Sequence, residues 1–118
     1  MHVRCRVDPA FPGTCAALAG HLDPEGAALA RDDLAARIAP STPSLLLDMS
    51  AVDWMSSAGV GALMQLRSQV QANQGAIALF GCTPRVRSVL RVCKLENLLN
   101  VCDGEDEARQ RLGRPPAL

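Results

Sequence analysis

The hydrophobic and polar positions along the chain predict strands that alternate with amphipathic helices. The segment 44–49 (SLLLDM) is an almost continuous apolar run bounded by turn residues, which is typical of a strand covered on both faces, with parallel neighbours. We therefore place it at the centre of a sheet. Further strands are predicted at 2–7, 14–19 and 76–80, with a last short one at 98–102 and a turn at 8–13.

Apolar residues at helical spacing predict four helices. The first begins at Asp23-Pro24, because Asp caps a helix and Pro suits its first turn, and Pro40 stops it. The second covers 57–74 and ends at Gly75. The last two are predicted from Thr83-Pro84 onward, with Val86, Val89, Leu90 and Cys93 facing inward, and over 104–112.

The resulting order, ββαβαβα(β)α, predicts one α/β domain over 1–112 with a frayed tail at 113–118. Strands that alternate with helices require a sheet with helices packed against it and right-handed crossovers. A chain of 118 residues is long enough to form one core without disulfides or a structural metal. Fold class alone does not identify a function.

Charge and aromatic content narrow the classes of partner. The chain carries 12 basic and 12 acidic residues, so its formal net charge is zero, and it lacks the broad positive field that attracts nucleic acid or an anionic membrane. Phe11, Trp54 and Phe80 are its only aromatic residues, too few for a base-stacking platform. We therefore expect neither a nucleic-acid partner nor direct membrane insertion.

The five cysteines are odd in number, widely spaced and without a CxxC pair, which fits neither a disulfide framework nor a zinc site. No run of about 18 apolar residues is present, and we expect a reduced, cytoplasmic location. Cys15 and Cys93 fit inert core positions. Cys82, in the loop after a predicted strand, is the candidate for redox sensitivity.

The segment 48–61 (DMSAVDWMSSAGVG) departs most from simple packing rules. It begins at the end of the most buried strand and opens a helix, which is where ligands and partners engage open α/β sheets. Ser56 and Ser57 stand at the helix start, although glycines follow that cost roughly 1 kcal/mol each against alanine in a helix. One serine caps the helix in the structural interpretation; in the functional one, the small residues let a partner approach closely.

This segment resembles the phosphorylated loop of STAS domains in the anti-sigma factor antagonists. The positions that match the family pattern are Asp48, Ser50, Val52, Trp54, Met55, Ser57, Gly59, Val60 and Gly61. Upstream, 20–23 (GHLD) resembles the Gly-Glu-Leu-Asp signature of the family, and 81–99 resembles its third helix and the following loop. The chain departs from the pattern at Ser56, Ala58 and Lys94, where the family has an acidic residue, Ser or Thr, and glycine.

The resemblance implies a STAS fold: a mixed sheet of four to five strands with about four helices mainly on one face. It implies an anti-sigma factor antagonist that binds an anti-sigma factor serine kinase, is phosphorylated on Ser57, with Ser56 as second choice, and is reset by a serine phosphatase. No cofactor or metal is implied. The expected partner-binding residues are Asp23, Asp48, Ser56, Ser57, Ala58, Gly59 and Gly61.

Alternative interpretations remain open at several positions. Asp23 fits a helix cap, and Asp48 fits a carboxylate that binds loop amides. Arg87, Arg91 and Lys94 form a basic stripe that fits either a solvated face or a docking site for an acidic partner. An accessory STAS subunit of a membrane transporter is an alternative function, and a small thiol-based redox protein is another. No GxSxG, P-loop, GxGxxG or HExxH motif is present, so we predict no enzyme.

Overall fold

The computed structural model describes residues 1–6, 11 and 13–113. Three parts of the sequence lie outside this described part: Val7, residues 8–10 and 12 of the predicted turn, and the tail residues 114–118. The elements in chain order are β1 His2–Arg6, β2 Gly13–Leu22, α1 Pro24–Ala35, β3 Ser44–Met55, α2 Ser57–Ala72, β4 Ile77–Phe80, α3 Pro84–Val92, β5 Val101–Cys102 and α4 Glu105–Gly113.

The described strands form one mixed sheet in the order β1-β2-β3-β4-β5. β1 runs antiparallel to β2, and the other neighbours are parallel. β3 pairs with both β2 and β4, and Leu45, Leu46 and Leu47 at its start are completely buried. The predicted fold class and the central position of this strand are both confirmed.

Helices cover both faces of the sheet unequally. The larger core contains buried side chains of α1, α2 and α3 together with Leu45 and Leu47 of β3. Leu46 points to the opposite face, because successive side chains of a strand alternate, and packs there with Ala108 and Leu112 of α4. Three helices therefore lie on one face, as the prediction of helices mainly on one face requires.

β3 is twice as long as predicted. The sequence indicated a strand over 44–49 followed by a loop with Trp54, but the strand continues to Met55. β2 extends with it, because His21 pairs with Trp54 and Leu22 with Met55 after two register shifts. Such irregularities rotate the strand, so the buried positions beyond 49 no longer alternate simply and the local pattern does not indicate a strand.

The first helix and the last strand are shorter than predicted. α1 ends at Ala35, although the predicted inward residue Ile38 is buried just beyond it. The last strand contains only Val101 and Cys102. The preceding residues form turns, in which the Leu99 amide donates to the Leu95 carbonyl and the Val101 amide to that of Glu96.

The end of α2 differs from the prediction in the role of Gly75. Gln74, not Gly75, adopts the left-handed conformation, with φ of 62°. The Gly75 amide donates to the Val70 carbonyl and the Gln74 amide to that of Gln71, which is a Schellman motif. Gly75 is required for a different reason: a Cβ there would lie 2.3 Å from the Pro43 carbonyl oxygen.

α3 also ends in a Schellman motif, with Lys94 as the left-handed residue directly after the cap. The cap is Cys93, and its predicted burial is wrong. Val86 and Leu90 face the core as predicted, but Cys93 is exposed. It caps the last turn, where the chain leaves the helix through Lys94 at φ of 59°. The Leu95 amide then donates to the Leu90 carbonyl.

Replacing Lys94 with Gly should stabilise the domain. A left-handed conformation costs a residue with a Cβ roughly 1 kcal/mol, and glycine avoids that cost. We expect Lys94→Gly to raise the free energy of unfolding by about 1 kcal/mol in urea denaturation. Ser88→Gly, at an exposed position inside the same helix, is the control, and it should lower the free energy of unfolding by about 1 kcal/mol. A loss in both variants would contradict the assigned backbone conformation.

Candidate functional site at the ends of the second and third strands

The candidate site lies where β2 and β3 end and α1 and α2 begin. Both strands run parallel, so their carboxyl ends lie at the same edge of the sheet, which is where open α/β folds commonly bind partners. Asp23 is the N-cap residue of α1 and Ser56 that of α2. Ser57 is the first residue of α2.

The hydroxyl group of Ser56 is directed into the fold. It donates a hydrogen bond to the Leu22 carbonyl at 2.8 Å and accepts one from the Gly59 amide at 3.3 Å. The Ser56 amide donates to the same Leu22 carbonyl at 2.9 Å. Ser56 therefore caps α2 and also ties the start of that helix to the end of β2, as the structural interpretation of one serine predicted.

The neighbouring Ser57 faces outward. It is exposed, and none of the hydrogen bonds found within the described part of the chain involves its side chain. A reagent or enzyme can reach its hydroxyl without breaking any of these contacts. The structure thus distinguishes the two serines, which the sequence could only rank.

The two glycines after Ser57 have different surroundings. Gly59 is buried, and a Cβ there would lie 2.6 Å from Met55 Cγ and 2.9 Å from Leu22 Cβ. Gly61 is exposed, and a Cβ there would meet nothing within 4 Å. Ala58, between Ser57 and Gly59, is half-buried and packs on the larger core. Packing accounts for Gly59 but not for Gly61.

Asp23 has a structural role at the edge of this site. Its Oδ1 accepts a hydrogen bond from the Gly26 amide at 2.7 Å, which confirms the predicted helix cap. Gly26 is required there, because a Cβ would lie 2.3 Å from the His21 carbonyl oxygen. Asp23 is half-buried, so part of its carboxylate remains available at the same sheet edge as Ser57.

Asp48 lies elsewhere on the sheet. It pairs with Ala17 and Phe80 in the middle of β3, and seven residues of strand, about 20 Å, separate it from Met55. Its Oδ1 accepts from the Ser50 hydroxyl at 2.7 Å and from the Ser50 amide at 3.0 Å. The structure does not bring Asp48 to the serine pair, and its contribution to partner binding stays a prediction.

The basic stripe of α3 is partly neutralised within the chain. Arg87 forms ion pairs with Glu96 and Asp103, and Arg91 lies 3.5 Å from Glu96. Since Glu96 follows the helix and Asp103 follows β5, the helix sequence alone could not indicate these pairs. Arg87 thus has a structural role.

Sequence reasoning missed a pair of side chains next to the serines. His21 Nδ1 lies 3.6 Å from Asp53 Oδ2, and the His21 and Trp54 rings are 5.9 Å apart. Both contacts depend on the unpredicted extension of β2 and β3. They place an aromatic ring and a histidine near the end of β3, which leads directly into Ser56.

A model of the STAS domain family matches residues 7–108. The chain belongs to the STAS domain family. A putative anti-sigma factor antagonist, BtrV of Bordetella bronchiseptica, is 26% identical over 93 residues, covering 79% of this chain and 80% of BtrV.

Solved structures show the same fold for this STAS domain. The anti-sigma factor antagonist SpoIIAA in its unphosphorylated form has a TM-score of 0.78 at 18% identity, covering 97% of this chain and 99% of SpoIIAA. The phosphorylated form of the Bacillus protein has a TM-score of 0.70 at 20% identity, covering 93% and 98%. In SLC26A9 the match has a TM-score of 0.63 at 17% identity and covers 86% of this chain but 20% of SLC26A9.

The described part of the STAS domain contains no helix long and apolar enough to cross a membrane. Over the same residues, no three His, Cys, Asp or Glu side chains are grouped so that they could hold a metal ion.

Cys82 should react slowly with alkylating reagents. Burial raises its pKa to about 11, so the thiol stays protonated below that pH, and only the thiolate is nucleophilic. Cys93 is exposed. We expect iodoacetamide at pH 8 to modify Cys93 at least about tenfold faster than Cys82, with Cys82 accelerating as the pH approaches 11. Peptide mass spectrometry measures both rates, and equal rates at pH 8 would restore Cys82 as a redox candidate.

Proposed function

We propose that this STAS domain is an anti-sigma factor antagonist that binds an anti-sigma factor serine kinase and is switched by phosphorylation of Ser57. The observation that carries the proposal is the opposite orientation of two adjacent serines. Ser56 uses its hydroxyl inside the fold, whereas Ser57 is exposed at the first position of α2. In the unphosphorylated form, binding to the kinase frees the sigma factor; a serine phosphatase resets the cycle.

A phosphate on Ser57 is compatible with the fold. It adds about −1.5 to −2 charges, and the amino terminus of a helix stabilises negative charge through its free amides and its dipole. The first turn of α2 contains no acidic residue that would repel the phosphate. The modified domain should therefore stay folded, and the change should act on the partner.

A partner packed on this surface would not tolerate the phosphate. Ser57 and the exposed Gly61 lie one helical turn apart, so they share a face on which the backbone is nearly bare. A phosphate brings bulk to that face and charge that must be desolvated on binding. Phosphorylation would thus release the partner, in agreement with a relative named as a putative anti-sigma factor antagonist and with SpoIIAA, which exists in both forms.

The remaining predicted residues are given supporting roles. We assign Ala58 and Gly59 to the close approach of the partner, together with Ser56 at the cap. The half-buried carboxylate of Asp23 would contact the kinase or its nucleotide from the end of β2. Asp48 is assigned a contact at a separate part of the surface.

A second function draws on the similarity to a domain of SLC26A9. In that alternative the chain is an accessory STAS subunit of a membrane transporter, and the α2 surface docks constitutively. A thiol-based redox function, the third hypothesis, is disfavoured by the raised pKa of Cys82, since a protonated thiol is a poor nucleophile.

Kinase assays on matched serine variants test the proposal. We expect anti-sigma factor serine kinases with ATP to place phosphate on Ser57 of the wild-type protein and of Ser56→Ala, as mapped by mass spectrometry, and to leave Ser57→Ala unmodified. Ser56→Ala removes a cap and should lower the free energy of unfolding by about 1 kcal/mol, so it is assayed well below its melting temperature. Phosphate on Ser56 would overturn the acceptor assignment. An absence of phosphate with every kinase would favour the constitutive transporter subunit.

A further inference from the structure

An apolar patch on α3 lies outside the site described above. Val92 is 80% exposed, more than any other large hydrophobic side chain of the described residues; the next, Leu29, is 49% exposed. Val92 belongs to an open concave surface on the outer side of the helix, which we call the α3 patch. The α3 patch is lined by Pro84, Arg85, Ser88, Val89, Val92 and Cys93.

The fold accounts for one edge of the α3 patch only, where the half-buried Val89 packs on the larger core. The helix is held to the sheet by Val86 and Leu90, which are fully buried. Val92 follows Val86 by six residues and Leu90 by two, a spacing that directs its side chain away from the face that Val86 and Leu90 share. Arg85 stands in the first turn, where no acidic residue accompanies it, and a cation there opposes the helix dipole.

The charges around the α3 patch are positive and unpaired. Among the lining residues there is no acidic side chain. Glu96 and Asp103 bind Arg87 and Arg91 on the other flank of the helix. Arg85 and Lys94 remain without an acidic partner in the described part of the chain.

We propose that the α3 patch binds an amphipathic, acidic helix of a partner protein. Val89, Val92 and Pro84 provide an apolar surface for the apolar stripe of such a helix, with anchors spaced three and four residues apart. Arg85 near one end of the patch and Lys94 beyond the other complement acidic side chains that flank the stripe, and such complementarity fixes orientation and raises the association rate.

This surface is separate from the switch residue and does not depend on the proposed function. α2 and α3 both begin at the carboxyl edge of the parallel strands. However, α2 follows β3, whereas α3 follows the neighbouring strand β4. α2 and α3 make few packing contacts with each other, because α2 packs mainly against α1. A partner can occupy the α3 patch whether or not Ser57 is phosphorylated.

Titration with designed peptides tests the α3 patch. The probe is a helical peptide of about 15 residues with a leucine stripe and glutamate elsewhere, and its twin carries lysine in place of each glutamate. The isotopically labelled full chain is observed by NMR. We expect the acidic peptide to shift the amide signals of Arg85, Val89 and Val92 and to bind at least about tenfold more tightly than its twin.

Matched variants then separate apolar from electrostatic recognition. Val92→Asp should weaken the acidic peptide at least about tenfold, and Arg85→Glu should remove the preference over the lysine twin. Leu29→Asp, at an exposed apolar position on α1, is the control and should bind as the wild type does. Equal binding of the two peptides, or shifts confined to α2, would overturn the proposal. Loss of the patch signals on self-association, detected by sedimentation, would assign the patch to a second copy instead.

Discussion

Replacing Ser57 with Asp is expected to weaken binding of the anti-sigma factor kinase at least about a hundredfold, because a charge placed in a tightly packed interface must be desolvated without a partner. Ser57 is exposed and its hydroxyl is not used by the fold, so the substitution acts on the interface alone. Ser57→Ala, which keeps the surface small, should bind within about threefold of the wild type. Isothermal titration calorimetry with the purified kinase measures all three affinities.

Stability measurements show whether a loss of binding by Ser57→Asp comes from unfolding of the variant. The first turn of α2 has no acidic residue, so an aspartate at position 57 should leave the free energy of unfolding unchanged or raise it by about 0.5 kcal/mol. Ser68→Asp adds the same charge at another exposed position of the helix and should leave binding unchanged. If Ser57→Asp and Ser57→Ala bind equally well, the phosphorylation switch is wrong even where Ser57 is a kinase substrate.

The two glycines of α2 should respond to alanine with opposite signs. In Gly59→Ala the new methyl group would lie 2.6 Å from Met55 Cγ and 3.0 Å from the Leu22 carbonyl oxygen. Because Leu22 is held by the hydrogen bonds of Ser56, its backbone has little freedom to move. We expect a loss of about 2 kcal/mol in the free energy of unfolding, typical of overpacking.

Gly61→Ala should instead stabilise the domain and impair its function. Nothing lies within 4 Å of the new Cβ, so alanine gains up to about 1 kcal/mol from its higher helix propensity. The same methyl group would occupy the bare surface next to Ser57 and weaken kinase binding about tenfold. Urea denaturation and calorimetry provide the two readouts. Ser68→Ala controls for helix propensity, and normal binding by Gly61→Ala would exclude this surface as the partner interface.

Together these experiments separate surface chemistry from fold stability at neighbouring positions. Ser57 and Gly61 are exposed and can be changed without disturbing the fold, whereas Ser56 and Gly59, which lie under the same proposed interface, are also held by contacts with Leu22. Such a division is expected of a binding switch, in which the modified group can change without disturbing the residues that position it.

Local sequence signals predicted the order of the elements that the structure shows. The apolar run 44–49 indicated the central strand, and Asp23 and Thr83 indicated helix starts that the structure confirms. These predictions succeeded because periodicity and capping depend on residues within one or two turns. The predicted STAS fold, carried by the motif at 48–61, agrees with the family match over 7–108.

Tertiary structure decided what each of these residues does. The direction of the Ser56 hydroxyl depends on a carbonyl 34 residues away, and the length of β3 depends on its pairing with β2. Cys93 is exposed because the helix ends one residue earlier, and Arg87 is neutralised by acids outside its helix. The outcomes for Ser56, β3 and Arg87 depend on partners outside their own elements, whereas the exposure of Cys93 goes with the local end of α3. The chain by itself therefore determined that two serines open a helix, and only the folded domain decided which of them faces outward.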